Sequence, residues 1–295
     1  MATEGDTVDE LAAQFEQHRT HLRAVAYRML GSQAEADDAV QEAWVRCAAA
    51  GADDVVNLGG WLTTIVTRVC LNALRARAAR PETLAGAHVP DPVLSPADGP
   101  TPEQEALLAD SVGLALLVVL DTLTPAERVA FVLHDVFDFP FGEIAPMLDR
   151  TPQAARQLAS RARHRVRSAG THAPDVGIAA QRAVIDAFFA AARAGDLAGL
   201  VELLDPDVVL RTDGFAAGPT VLRGAAAVSA AAAGGAAGGG AVQVEVHHVL
   251  INGAAGVLIT LRGRPAGLMA FTIAGGKIVA VDGITDPKRV RRLVS

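Results

Sequence analysis

The stretch Thr124–Arg167, TPAERVAFVLHDVFDFPFGEIAPMLDRTPQAARQLASRARHRVR, decides how the middle of the chain folds. Thr124-Pro125-Ala126-Glu127 is a helix start: threonine at the N-cap, proline in the first turn, and Glu127 placed to close a capping box. A helix over Ala126–Asp135 follows. Phe141–Leu148 reads as a short helix with Ile144, Met147 and Leu148 inward. Pro146 lies inside it, where proline costs about 3 kcal/mol beyond the first turn, so this helix is expected to start late or to kink. Asp149-Arg150 is a tight turn, and Thr151-Pro152 caps a longer helix running to about Arg167. Helical spacing sets Ala155, Leu158, Ala159, Ala162 and Val166 on its inner face. The outer face carries Arg156, Gln157, Ser160, Arg161 and Arg163. A short helix, a tight turn and a capped basic helix form the helix-turn-helix pattern. The outer residues suit DNA: arginine forks onto guanine and glutamine onto adenine in the major groove. Arg163, Arg165 and Arg167 suit phosphates.

The whole chain has 295 residues, with 26 Lys+Arg against 33 Asp+Glu, a net charge of −7. That excludes a protein basic all over, but the charge is unevenly spread. Residues 1–173 hold 15 basic and 23 acidic residues, yet Arg150–Gly170 and Trp61–Pro81 each carry arginines and no acid. Cys47 and Cys70 are the only cysteines, too few for a disulfide framework. The acidic N-terminus has no apolar signal-peptide core, and the longest apolar run, Val112–Leu120, is too short to span a bilayer. These features suit a cytoplasmic protein without a membrane partner. No Cys/His spacing suits zinc, and no metal or other cofactor is expected.

Upstream, three amphipathic helices are expected within residues 12–80. Phe15, Leu22, Val25, Ala26, Met29 and Leu30 line the first, which Gly31 stops. Ala36, Ala39, Val40, Ala43, Trp44 and Cys47 line the second, with Asp37, Asp38, Gln41 and Val45 opposite. Leu62, Ile65, Val66, Val69 and Ala73 line the third, with Thr64, Arg68, Asn72 and Arg75 opposite. One polar face is acidic and the other basic, a segregation that suits two different partners. Six of the 15 prolines fall between Pro81 and Pro102, which marks an extended linker. The chain thus divides into 1–80, a linker at 81–106, a helical module at 107–170 and a last unit at 175–295.

These motifs resemble the bacterial extracytoplasmic-function sigma factors. Tyr27-Arg28-Met29-Leu30-Gly31, Glu35–Trp44 and Trp61-Leu62-Thr63-Thr64-Ile65-Val66 are similar to region 2, and Leu123–Arg163 to region 4. The resemblance implies that Asp37, Asp38 and Gln41 dock on the clamp helices of RNA polymerase core. It implies that the segment Asp53–Leu58, with Asn57, and Trp61, Arg68, Asn72 and Arg75 meet the minus-10 element. Capture of a flipped base there would need a pocket to offset the unstacking energy. Arg156, Gln157, Ser160, Arg161 and Arg163 would meet the minus-35 element, with region 4 at the polymerase flap. The linker would run through the polymerase and hold the two DNA-binding modules apart.

The last unit reads as helix, helix, strand, helix and strand meander, an α+β arrangement. Helices are expected over Gln181–Ala192, Leu197–Leu204 and Gly224–Ala233, and strands over Asp207–Thr212, Val242–Leu250, Gly256–Arg262, Ala266–Ile273 and Lys277–Val281. It resembles the SnoaL-like branch of the nuclear-transport-factor-two-like cone fold. Such an extension behind regions 2 and 4 marks the SigJ-like subgroup of these sigma factors. The subgroup's Trp-Leu-Pro-Glu-Pro linker motif reads His88-Val89-Pro90-Asp91-Pro92 here, and its Asn-Pro-Asp-Lys motif reads Thr285-Asp286-Pro287-Lys288. The fold class is therefore two all-α domains plus a C-terminal α+β SnoaL-like domain. Asp213 and Asp282 are candidates for a regulatory pocket or contact, binding a small molecule or another part of the chain. His247 and His248 should point to opposite faces of their strand. No catalytic residue is assigned. Two other readings use the same residues: a ligand-responsive helix-turn-helix regulator, and a SnoaL-like enzyme with a DNA-binding appendage.

Overall fold

The computed structural model describes residues 4–52, 55–79, 89–96, 99, 113–168, 177–214, 218–237 and 244–294. Most of the proline-rich linker, Asp53, Asp54 and His88 lie outside these residues. The described chain falls into two compact units. One gathers the residues up to 79 with 119–168; the other gathers 89–99, 113–118 and 177–294.

The first unit opens with α1 (Glu4–Leu30), α2 (Gln33–Ala50) and α3 (Leu58–Ala78). The first two expected apolar stripes enter a common core, with Phe15, Leu22 and Met29 of α1 and Ala36, Val40 and Cys47 of α2 buried; on α3 Leu62, Val66 and Val69 are buried as expected, but Ala73 is exposed and Cys70, Leu71 and Leu74 take the inner face instead. Gly31 closes α1 in the left-handed conformation, φ 75°, and donates its N–H to the Tyr27 carbonyl at 2.7 Å. Trp44 tilts against Phe15 with ring centroids 5.1 Å apart, a core contact. Burial pushes the Cys70 thiol up to about 12, so it acts as a small apolar residue.

The second half of this unit holds α5 (Pro125–Phe131), α6 (Phe141–Met147) and α7 (Pro152–Ser168), and the end of α4 (Leu114–Asp121) from Val119 on. The capping box forms, Glu127 N donating to Thr124 Oγ1 and Thr124 N donating to the Glu127 carboxylate. The expected continuous helix to Asp135 is corrected: α-helical bonding gives way to a π-helical turn, Val132–Val136. Residues 127–133 are buried all round, which a one-sided helical stripe cannot achieve. Pro146 lies inside α6 beyond its first turn, and the helix still starts at Phe141, so the expected late start is corrected. Leu148 N bonds Ile144 O and Ala145 O just after the proline, and Asp149, at φ 55°, makes the turn into α7.

The two helical modules share this unit rather than standing apart. Helix α3 lies against α5 and α6, and α1 against the π turn. The Arg28 guanidinium lies over the Phe137 ring at 5.1 Å, and His21 meets the same ring edge-on. Arg128 is fully buried; it donates to Asp121 at 2.8 Å, and Asp121 lies 3.7 Å from Arg77, which also pairs with Glu35. Burial pushes the Arg128 pKa down, and the Asp121 charge opposes that shift.

The second unit is a seven-stranded sheet in the order β1-β4-β5-β6-β7-β2-β3, covered on one face by α8 (Ile178–Ala194), α9 (Leu197–Leu203) and α10 (Ala225–Ala237). The strands are β1 (Leu94–Ser95), β2 (Leu204–Thr212), β3 (Thr220–Arg223), β4 (Val244–Ile251), β5 (Ala254–Leu261), β6 (Arg264–Ala274) and β7 (Lys277–Ile284). All pairs are antiparallel except β2–β7. Asn252-Gly253, Arg262-Gly263 and Gly275-Gly276 make the meander's two-residue turns, every one with positive φ, as a right-twisted hairpin demands. Ile185 and Phe188 of α8, Leu200 of α9 and Val228 of α10 pack on Leu210, Val257, Phe271 and Val281. Helix α11 (Pro287–Val294) ends the described chain. β1, β3 and α11 were not expected from the sequence, and α10 runs past Ala233 through Gly234 and Gly235.

Candidate polymerase and nucleic-acid interface

The acidic face of α2 is presented to solvent. Asp37, Asp38 and Gln41 are exposed, and Val45 continues their line at 61% exposure. Asp37 is also held from below, because Arg23 of α1 donates to both its oxygens at 2.5 and 3.1 Å. Asp38 and Gln41 have no such tie among the described residues.

Helix α3 begins with Asn57 as its cap: Oδ1 accepts the Gly60 N–H at 3.0 Å. A Cβ on Gly60 would come within 2.8 Å of the Asn57 amide and push the capping side chain aside. The cap therefore fixes the loop end where the minus-10 pocket was expected, and Val56 beside it is fully exposed. Trp61 is half-buried in the first turn. Arg68, Asn72 and Arg75 are exposed at four- and three-residue intervals, so they share one face. Among the described residues no acid pairs with Arg68 or Arg75.

On α7 the expected outer residues Arg156, Gln157, Ser160 and Arg161 are exposed, and Arg163 is half-buried. The Arg156 guanidinium lies over the Phe141 ring at 5.4 Å, and His134 packs on that ring at 3.9 Å. Three other arginines, Arg161, Arg163 and Arg165, are engaged, while Arg167 is exposed. Arg161 Nε and Arg165 Nη1 donate to the two oxygens of Glu127 at 3.2 and 2.8 Å. Arg163 lies 3.3 Å from Asp135. Burial by itself would raise the Glu127 pKa, but hydrogen bonds from Thr124 and the charges of Arg165 and Arg161 outweigh it and hold the carboxyl below its ordinary value. Asp135 goes the other way: burial raises it, and Arg163 only partly opposes that. The capping role of Glu127 was legible locally. Its grip on α7, 34 and 38 residues further on, had no signal in the spacing.

In the second unit both candidate acids are in ion pairs. Asp282 is buried and accepts from Arg211 Nε at 2.7 Å. Strand alternation puts this pair on the sheet face opposite the helices, since the neighbours Val281 and Leu210 belong to the helix-covered core. Burial raises the Asp282 pKa, and Arg211 opposes it. Asp213 accepts Thr285 N at 2.7 Å, Thr285 Oγ1 at 3.1 Å and Arg289 Nη1 at 3.0 Å. Arg289 donates onward to Asp91 at 2.6 Å and to the Val89 carbonyl, and Arg292 reaches Asp91 at 2.9 Å. Val93 and Asn252 exchange hydrogen bonds of 2.7 and 2.9 Å. The residues from Val89 to Ser95 are thereby bound into the C-terminal unit, their last two forming the edge strand β1. Asp213 thus belongs to a contact with the chain's own connecting segment. His248 faces α8 and meets Asp186 at 2.9 Å, whereas His247 meets Thr260 on the other face. Among the described residues no group of three His, Cys, Asp or Glu could hold a metal ion, and no helix is long and apolar enough to cross a membrane.

Comparison with known proteins follows this division. Residues 14–80 match the Sigma-70 region 2 family, 113–166 the Sigma-70 region 4 family, and 185–284 the SnoaL-like domain family. The chain is 37% identical to the ECF RNA polymerase sigma factor SigJ of Mycobacterium tuberculosis over 289 residues, 94% of this chain and 92% of that one. It is 35% identical to the probable ECF RNA polymerase sigma factor SigI of the same species, over 95% of this chain and 94% of that one. The crystal structure of M. tuberculosis SigJ superposes with a TM-score of 0.70, covering 94% of this chain and 97% of that chain. Region 2, region 4 and the C-terminal sheet thus occur in the same order along nearly the whole length, and the chain belongs to the extracytoplasmic-function sigma factors that carry a C-terminal SnoaL-like domain.

Proposed function

We propose that the chain binds RNA polymerase core and directs it to specific promoters, with its C-terminal domain modulating that activity. The observation that carries this reading is the division of charge in the helical unit. α2 presents Asp38 and Gln41 outward, while α3 and α7 present Arg68, Asn72, Arg75 and Arg156, Gln157, Ser160. An acidic face suits a protein partner, and two basic faces suit promoter DNA. Asn57 and Trp61 frame the start of the minus-10 surface. The protein works in the cytoplasm, where polymerase acts, and both Asp213 and Asp282 are held in ion pairs.

A consequence concerns the packing of α3 against α5 and α6. The minus-10 and minus-35 elements lie well apart along B-DNA, each base pair adding about 3.4 Å. Two modules joined through Arg28–Phe137 and the Arg128–Asp121–Arg77 chain must separate before both can be read. The C-terminal domain acts through Val89–Ser95, because this held segment lies in the connection between regions 2 and 4.

The test is run-off transcription with purified core polymerase on fragments of the protein's own genome. Promoter-specific transcripts that require this chain are expected, and Asp38→Lys should remove them by weakening binding to core. Absence of any such transcript would overturn the reading.

A further inference from the structure

Glu127 is the most heavily engaged carboxylate of the helical unit. Its side chain is 4% exposed and accepts four hydrogen bonds: from Thr124 N at 3.2 Å, Thr124 Oγ1 at 2.7 Å, Arg161 Nε at 3.2 Å and Arg165 Nη1 at 2.8 Å. The first two close the start of α5. The other two come from residues four apart on α7, which project from one stripe of that helix. One carboxylate that grips both fixes the rotation of α7 about its axis as well as its distance from α5. The grip is firm because a buried carboxylate stripped of its cations is strongly disfavoured. While it holds, the polar edges of Arg161 and Arg165 aim at Glu127, and their charge is partly neutralised.

We propose that Glu127 is the positioning residue of the minus-35 helix: it withholds Arg161 and Arg165 from DNA phosphate and so fixes the aim of Arg156, Gln157 and Ser160 at the base edges. This rests on the reading of α7 as the recognition helix and narrows it. Of the basic residues on α7 the proposal leaves Arg156, stacked on Phe141, as the base-reading arginine.

The experiment uses full-length protein assembled with core polymerase. The probe is a DNA duplex selected by the wild-type holoenzyme from a pool with a randomised minus-35 region. Its affinity is measured against salt, where each phosphate contact contributes a slope of about −0.9 in log K against log salt. Glu127→Gln should steepen the slope by about 1 to 2 as the arginines are released to phosphates. It should also reduce discrimination between the selected duplex and the unselected pool severalfold. Adding Arg161→Ala and Arg165→Ala to that variant should restore the wild-type slope. A loss of cap stability alone would shift the melting temperature and leave the slope in place, which would overturn the proposal. If Glu127→Gln does not fold, the Arg161→Ala/Arg165→Ala variant decides. A slope equal to wild type supports the clamp, and a slope shallower by about 1.8 identifies both as phosphate contacts and overturns it. Arg156→Ala separates the two layers of the argument: if it leaves the selected duplex's affinity unchanged, the recognition-helix reading falls and takes the clamp with it. If it weakens binding while the arginine pair shows the shallow slope, the clamp alone falls.

Discussion

On α3, Arg68 and Arg75 stand exposed with no acid partner among the described residues, whereas on α7 Arg161 and Arg165 share Glu127 and Arg163 meets Asp135. Each helix sets an arginine-bearing face over a buried one, leucine- and valine-rich on α3 and mostly alanine on α7. Exposure does not separate them, for Arg161 is 59% exposed. The difference is the neighbour each face has across the fold. α3 turns its basic face away from α1 and α2, while the base of α7 lies over the buried start of α5. Charge counted along a sequence therefore overstates the charge available to DNA.

The same contrast exists within a few residues on α11, where it can be broken most sharply. Arg289 is tied to Asp213, Asp91 and the Val89 carbonyl, while Arg291 is exposed. Arg289→Ala should cost about 3 kcal/mol or more, since it leaves two mostly buried carboxylates short of a cation. Arg291→Ala should stay within about 0.5 kcal/mol. Urea denaturation of the full chain measures both, and equal costs would erase the distinction between tied and free arginines.

Glu127→Ala comes next, at about 2 kcal/mol, from a lost reciprocal cap and two lost ion pairs. Its pH dependence has a definite sign. The folded-state pKa of Glu127 is depressed, so its contribution is fully present above the unfolded value of about 4.3 and is lost as pH falls through the folded value. Wild type should therefore lose its margin over the variant in melts below about pH 4.

Arg68→Ala/Arg75→Ala should lower promoter-specific run-off transcription roughly tenfold, a difference of about 1.4 kcal/mol, while leaving the melting temperature unchanged. A fall in melting temperature instead would put these arginines in the tied class. The smallest effect is expected for Asp135→Asn, within about 0.5 kcal/mol in stability because its ion pair with Arg163 is partly exposed. It should steepen the salt slope of DNA binding by less than one phosphate contact.

Much of the fold was legible where the determinant is local. Thr124 and Glu127 announce a capping box, Gly31 a helix end, Asp149 a turn, and the 3.6-residue stripes of α1 to α3 a three-helix core; each needs only the next few residues. Most helices and strands after Gly177 were legible for the same reason, with β3 and α11 the exceptions. β1 was not, because Leu94 and Ser95 are strand only through pairing with Ile251 and Leu250. α11 carries a local start signal, Asp286 accepting from Lys288 N and Arg289 N with Pro287 in the first turn, while its tie to Asp91 and Asp213 acts at long range. The π turn after Phe131 was not legible, because the same residues fit a continuing α-helix and only Val132 and Leu133 of its five residues are buried.

The sequence by itself determined the family, the order of the three domains, and the surface residues available to meet polymerase and DNA, because capping, periodicity and motif order act over short spans. Tertiary structure alone decided which of those charges are spent internally. Glu127 reaches Arg161 and Arg165, Arg211 reaches Asp282, and Arg289 reaches Asp91, over 34 to 198 residues of chain. Ion pairing depends on distance and burial in three dimensions, and neither quantity is carried by the spacing of residues along the backbone.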